Sequence, residues 1–492
     1  MPPLDPARIL SVFAFDPKNP IGFVSGTFLL FVLVLLAVYP LTARSRRGRV
    51  LTLLLFSLFF YYKTGGAFVG LLVLSTLIDF GIGRALGAAR KQSARRIFLW
   101  AGIAVNLAIL VIFRYGRWVP SGLDSLAVPV GISFYVFQKI SYLADVYRRK
   151  IGPARRADDF LLYVSFFPRV VAGPIVRAGE FVPQIDQPYS PDRFAMGEAV
   201  FLILTGLFKK AIIADFIGIN FVDRVFASPA LYSGLENLLA IYGYAIQIYC
   251  DFSGYTDIAL GTARLLGFRL PPNFKSPYKA TSISEFWSRW HMTLTRWLMD
   301  YLFWPIALRL SAVIKAEKWA GLRTDKIIPV AASMITFLIC GLWHGAAWGF
   351  IIWGALHGAA VSLERVLRLP QKVKKTRGRR TIGRILTFHY VCLGWIFFRS
   401  GSLGTAGAVL SQIAGHFKAA LLPQFVGGYP LVVGLIVVGF SFHFLPAGLK
   451  YTVKRLTVEA SWPVQAFLLA AMIWLVFQFR AADIQPFIYF KF

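Results

Sequence analysis

Residues 340–350 read "CGLWHGAAWGF", Cys340 to Phe350, and they join two apolar runs at 328–340 and 346–362. The flanks carry no Asp, Glu, Lys or Arg, and their length and composition are those of bilayer-spanning helix. His344 is thus an ionisable ring in a segment where lipid would penalise it, so it is expected to face protein. Gly341 and Gly345 form a small-xxx-small pair, which lets one helix face meet a neighbour at close range. A neutral imidazole on that packed face suits a general base if a hydroxyl substrate reaches it; a hydrogen-bonded structural histidine is the alternative.

Outward from this stretch the same character continues. The 492-residue chain is 57% hydrophobic and 15% charged, with a mean hydropathy of +0.62. Further apolar runs lie near 21–40, 50–62, 67–80, 97–113, 198–214, 236–250, 385–398, 429–446 and 464–479. The expected fold class is all-α: a polytopic transmembrane helical bundle of about eleven spans, in which the shorter runs are re-entrant or interfacial helices buried in protein. The first run is long, follows polar and acidic residues and precedes a basic cluster, which fits a retained span better than a cleaved signal. With no repeat of 20–50 residues and no long linker, the chain reads as one membrane domain over 1–492, with its catalytic core at about 129–362.

The 53 Lys and Arg outnumber the 23 Asp and Glu, giving a net charge of +30. In a soluble protein this would suggest nucleic acid. Here the basic residues gather in short connectors, "ARSRRGR" at 43–49, "RALGAARKQSARR" at 84–96, "YRRKIGPARR" at 147–156 and "KVKKTRGRR" at 372–380. That distribution marks cytoplasmic loops and contact with anionic lipid, and places the N terminus outside. Cys250, Cys340 and Cys392 have no ligand spacing and read as small buried hydrophobes; no metal site, P-loop, dinucleotide fingerprint or nucleophile elbow is evident.

Three central blocks resist a lipid-facing reading. "FFPRVVAGPIVRAGEF" at 166–181 interrupts an apolar run with two prolines and two arginines, as a broken or re-entrant element would. "YCDFSGYTDIALGTARLLGFRLPPNF" at 249–274 places Asp251 and Asp257 at membrane depth, where they need partners such as Arg264, Arg289 or Arg296. "SISEFWSRWHMTLTRWLMDYLFWP" at 282–305 reads as one amphipathic interfacial helix, capped by Ser282 or Ser284, with its tryptophans at headgroup level and His291 in line with Trp287 and Leu294. His357, thirteen residues beyond His344, would lie roughly 220° round the same helix and is assigned to packing. His389, His416 and His443 have no sequence partners and are read likewise.

At these residues the chain resembles the membrane-bound O-acyltransferase family, in its bacterial polysaccharide-acetylating branch. The resemblance is carried, in order, by "PVGISFYVFQKISYLADVYR" at 129–148, "PRVVAGPIVR" at 168–177, "DFSGYTDIALGTARLLGFRLPPNFKSPY" at 251–278, "SISEFWSRWHMTLTRWLMDYLFWPI" at 282–306, "GLWHGAAWGFIIWGALHG" at 341–358 and "LGWIFFRS" at 393–400. It implies a bundle hollowed from both faces, with His344 matching the family's catalytic histidine and His291 its second characteristic polar position. It also implies acyl transfer from a cytoplasmic thioester, acetyl-CoA as donor substrate with no bound cofactor, to a hydroxyl of an exported polysaccharide such as alginate. The implied partners are the bilayer and a periplasmic hydrolase-like acetyltransferase, with no nucleic acid, and the implied site is the bacterial inner membrane. The chain departs from the pattern after the interfacial block, where "MDYLFWPIALRLSA" lacks an arginine at Met299 and a glycine pair. Two other readings stay open at this point: D-alanyl transfer to teichoic acid on the same fold, and a transporter or flippase using the buried carboxylates as a path.

Overall fold

A computed structural model describes residues 12–17, 20–116, 127–319, 322–367, 369 and 376–479. Residues 372–375 of the last basic cluster lie outside that set. The described chain is helical almost throughout, with one two-residue antiparallel pairing of Lys318–Trp319 and Leu322–Arg323. The all-α expectation holds. Among the described residues, six helices are long and apolar enough to cross a membrane: Phe68–Ala88, Gln92–Tyr115, Thr324–His344, Trp348–Leu367, Arg377–Arg399 and Trp462–Phe479. A seventh span arises if Ala419–Gly428 and Pro430–Phe444, bent by 101°, are taken together. Several of the other apolar runs are shorter helices or pieces of irregular helix, as broken elements shielded by protein can be.

The chain groups into two compact units. The first comprises Met1–Thr205, Tyr255–Pro271 and Leu456–Leu469. Ser25 and Ser45 cap the helices Gly26–Thr42 and Arg46–Gly65 by accepting from Phe28 N–H and Gly48 N–H. A fully buried ion pair, Lys139 to Asp79 at 3.2 Å, is completed by the Asn106 amide, which donates to both Asp79 oxygens. Not every basic-cluster residue is a topology marker: Arg95, 4% exposed, donates to the carbonyls of Leu86, Val146 and Tyr147. The 166–181 block is broken, as its prolines require: Phe167–Val170 forms one turn, and Ala178–Ile185 begins a new helix.

The second unit comprises Gly206–Gly254, Pro272–Arg455 and Ala470–Phe492. Its frame is the antiparallel hairpin of Thr324–His344 and Trp348–Leu367, against which Arg377–Arg399 packs. Small residues set the approach. A Cβ on Gly341 would meet the Phe350 carbonyl at 2.3 Å, and one on Gly354 would meet the Phe337 carbonyl at 2.4 Å.

Asp251 has a partner the sequence reading did not consider. Lys210 Nζ binds Asp251 and, at 2.7 Å, Asp215. Lys210 lies in a π-helical stretch, Phe208–Ala214, and that wider winding re-aims a side chain relative to α-helical spacing. The arginines named as candidates include Arg264, which pairs with Glu198 within the first unit, and Arg289, which pairs with Glu285.

Candidate active site

The 282–305 block is not one helix. Ser282 caps Ile283–Trp287 by accepting from Glu285 N–H; the chain then turns and re-enters helix at Met292–Leu298. His291 makes the turn in the left-handed region, with φ 41° and ψ 51°. The turn is fixed from outside the block: Met292 N–H donates to the Asn273 carbonyl at 2.9 Å, and Thr293 N–H to Asn273 Oδ1 at 3.2 Å. The tryptophans are not at a headgroup surface. Trp287, Trp290 and Trp297 are 5%, 2% and 4% exposed, because the break folds their rings inward.

The same contacts orient His291. Since a backbone N–H can only donate, the Asn273 atom facing Thr293 is an oxygen, and His291 Nδ1, 3.4 Å from that oxygen, carries the proton. Nε2 then holds the lone pair. The imidazole stands edge-on to Phe252 at 4.7 Å.

His344 ends the first helix of the hairpin. The chain leaves helix at Gly345, whose backbone is extended, and the Phe350 ring fills the space beside it, 2.5 Å from where a Cβ would lie. The imidazole is 3% exposed and is walled by Trp343, Trp353 and Phe398 at 4.6, 5.0 and 4.9 Å between ring centroids. This agrees with the protein-facing ring expected from the sequence.

His357 departs from its expected position. The break at Gly345 places it on the second helix of the hairpin, so an angle counted from His344 along one helix does not apply. His357 and His344 both touch Trp353, at 4.9 and 5.0 Å. The two predicted site histidines are joined by a continuous run of rings: His291 meets Phe252, then Phe274, Trp290, Trp395 and Phe398, which abuts His344.

A second feature was not legible. Lys450, outside the membrane-spanning helices, donates to the His443 carbonyl and to Ser276. Burial, with Lys279 and Lys209 nearby, pushes its ammonium down to about 8. Lys279 is lowered too, by burial and by Arg384 and Arg289. These cations come together from segments far apart in sequence. Their neighbour His443 accepts from Tyr278 N–H and touches Tyr249, whose ring meets Phe274, so the cluster adjoins the same aromatic run.

The sequence profile of the membrane-bound O-acyltransferase family matches residues 156–403, which include both predicted histidines. The chain is 37% identical over 405 residues to a probable alginate O-acetylase of Azotobacter vinelandii, covering 78% of this chain and 76% of that one. The chain belongs to the membrane-bound O-acyltransferase family. It is also 32% identical to a peptidoglycan O-acetyltransferase of Helicobacter pylori, over 82% of this chain and 79% of that one. A teichoic acid D-alanyltransferase of Bacillus subtilis is 28% identical over 63% of this chain and 80% of its own length. This membrane-bound O-acyltransferase is therefore a multi-pass membrane enzyme that transfers acyl groups.

Proposed function

We propose that the enzyme moves an acetyl group from acetyl-CoA, supplied at the cytoplasmic face of a bacterial inner membrane, to a hydroxyl of an exported polysaccharide or of a periplasmic partner. His344 is the general base. The observation that carries this reading is the placement of His344: a single imidazole at a helix break, buried and walled by aromatic rings. A thioester is already activated, so the enzyme must supply a base, alignment and stabilisation of developing charge.

The acceptor oxygen attacks the thioester carbon while His344 takes its proton. The carbonyl electron pair moves onto oxygen. On collapse the C–S bond breaks, and the thiolate leaves with the proton from His344, giving ester and free thiol. His291, its ring held by Asn273, orients the donor. The Lys450, Lys279 and Lys209 cluster supports a polyanionic donor such as a CoA thioester, because clustered cations raise the local concentration of anions.

D-alanyl transfer to teichoic acid is the second reading, favoured by the similarity to the Bacillus subtilis transferase. The test uses membrane vesicles, radiolabelled acetyl-CoA, and wild type against His344→Ala at equal protein level. Label entering an envelope polymer with wild type and not with the variant supports the proposal. Equal transfer in the variant refutes the role of His344, and transfer from a D-alanyl carrier alone favours the second reading.

A further inference from the structure

We propose that Glu364 and His357 are positioning residues for acyl transfer: together they anchor the segment that ends at His291 to the helix whose Trp353 walls His344. This rests on the roles given to His344 and His291 above. The argument begins with donors that a helix leaves unmade. Ile283, Ser284 and Glu285 open the helix Ile283–Trp287, so their N–H groups find no partner along it, and five residues are too few for a helix to hold itself. Glu285 N–H is met locally, by the Ser282 hydroxyl. The other two are met by a different element: Glu364, on Trp348–Leu367, accepts from Ile283 N–H with one carboxylate oxygen and from Ser284 N–H, at 2.9 Å, with the other.

A carboxylate is the group this junction needs. Both N–H groups only donate and both Glu364 oxygens accept, whereas an amide of the same shape would turn its NH2 toward one of the donors. Glu364 is 8% exposed and Ile283 4%, so water is poorly placed to replace the bond. The same helix face makes two further contacts. Two turns before Glu364, His357 Nδ1 accepts from Trp287 Nε1–H at 3.2 Å. One turn before that, Trp353 packs edge-on to Trp287 at 5.7 Å and to His344 at 5.0 Å. One helix thus holds the segment at its start and at its middle, and meets the base at a third point, over the roughly 16 Å between Trp353 and Glu364.

A displacement at Ile283 would reach His291. Ser288 N–H donates to the Ser284 carbonyl, and Arg289 and Trp290 N–H both donate to that of Phe286. His291 follows directly, with its turn closed by Asn273. Glu364 bonds to the start of this segment, so it acts through the segment and not on the donor. Transfer requires the donor carbonyl to lie within reach of the acceptor oxygen that His344 deprotonates, and a misplacement of about 1 Å can cost about 100-fold in rate. Releasing the segment should therefore lower kcat more than it changes KM.

Acetyl transfer from acetyl-CoA in vesicles, assayed well below the thermal midpoint of each variant, tests this. Glu364→Gln keeps the shape and loses the second acceptor, and is expected to lower kcat by about 10–100-fold with KM little changed. Trp287→Phe keeps a ring and removes the donor to His357, which releases the segment at its middle without touching Glu364; it should lower kcat in the same sense. Wild-type kcat in either variant overturns the anchor. A double-mutant cycle of Glu364→Gln with Asn273→Ala separates positioning from plain stabilisation, since Asn273 holds the other end of the same segment. If both act by placing His291, the double variant should be little slower than the slower single one; losses that multiply in full overturn the proposal. Hydrogen exchange supplies a readout apart from activity. Amides of 283–290 should exchange faster in Glu364→Gln while those of 348–362 keep their protection, and unchanged exchange at 283–290 refutes the anchor. The underlying reading is tested by His291→Ala: wild-type transfer there removes the role of His291 and the anchor with it, whereas a loss there beside wild-type rates in Glu364→Gln removes the anchor alone.

Discussion

His291 and His344 are two imidazoles prepared for different work by what surrounds them. His344 is enclosed by the rings of Trp343, Trp353 and Phe398, and it should be the residue whose loss is most severe. General-base catalysis contributes about 10²–10⁴-fold, so His344→Ala should reduce acetyl transfer to near background, measured as label incorporated per unit of enzyme. His291 depends on Asn273, whose Oδ1 accepts from Thr293 N–H and fixes the proton on Nδ1. Asn273→Ala removes that acceptor and should lower kcat about tenfold, a change of about 1.4 kcal/mol in the barrier. Asn273→Asp keeps an acceptor in the same place and should recover most of the loss. A side chain needed only to fill space would show no such difference between alanine and aspartate.

At the scale of the element, the hairpin of Thr324–His344 and Trp348–Leu367 is what brings the site residues together, and its glycines can be tested directly. Gly341 and Gly354 each face a backbone carbonyl of the other helix, which cannot move aside as a side chain can. Gly341→Ala and Gly354→Ala should each destabilise the enzyme by about 1–3 kcal/mol, seen as a lower thermal midpoint in detergent. Gly407→Ala, where nothing lies within 4 Å of the added carbon, should leave the midpoint unchanged or raised. The close approach at Gly341 and the inward His344 were legible because they depend on residue type at local spacing; Gly345, read as its partner on one helix, lies past the helix end, and Gly354 takes that place. The position of His357 was not legible, since the chain leaves helix at Gly345, and a count of 100° per residue fails beyond it. Nor was the turn at His291, which is held by Asn273 from a different segment, or the pairing of Asp251 with Lys210, 41 positions away in sequence. Periodicity reports which face of a helix is apolar; it does not report where the chain stops being one helix.

At the scale of the molecule, the net charge of +30 reads first as topology, yet some of it has been drawn into structure. Arg95 is spent on backbone carbonyls, while Lys139 pairs with Asp79 and Lys210 with two carboxylates, so the charges of these two lysines are met within the protein. Lys450 differs from them: its hydrogen bonds run to a carbonyl and a hydroxyl, and the neighbouring groups that move its proton affinity are lysines. A polyanion bound there would restore what burial and like charge remove. The sign follows from the direction of the shift. With its ammonium held down to about 8, Lys450 is charged below that pH and increasingly neutral above it, so a polyanionic donor binds less well as pH rises through about 8. The KM for acetyl-CoA should therefore climb between pH 7 and pH 9, and binding near pH 8 should take up protons as the donor draws the lysine back to its charged form. Lys450→Gln should raise KM at pH 7 and flatten its pH dependence, leaving kcat nearly unchanged because the cluster is remote from the bond that breaks. Initial rates across that pH range decide the matter: a wild-type KM independent of pH, or a slope that survives in Lys450→Gln, would remove this cluster as the handle for the donor and leave the aromatic run without its cationic anchor.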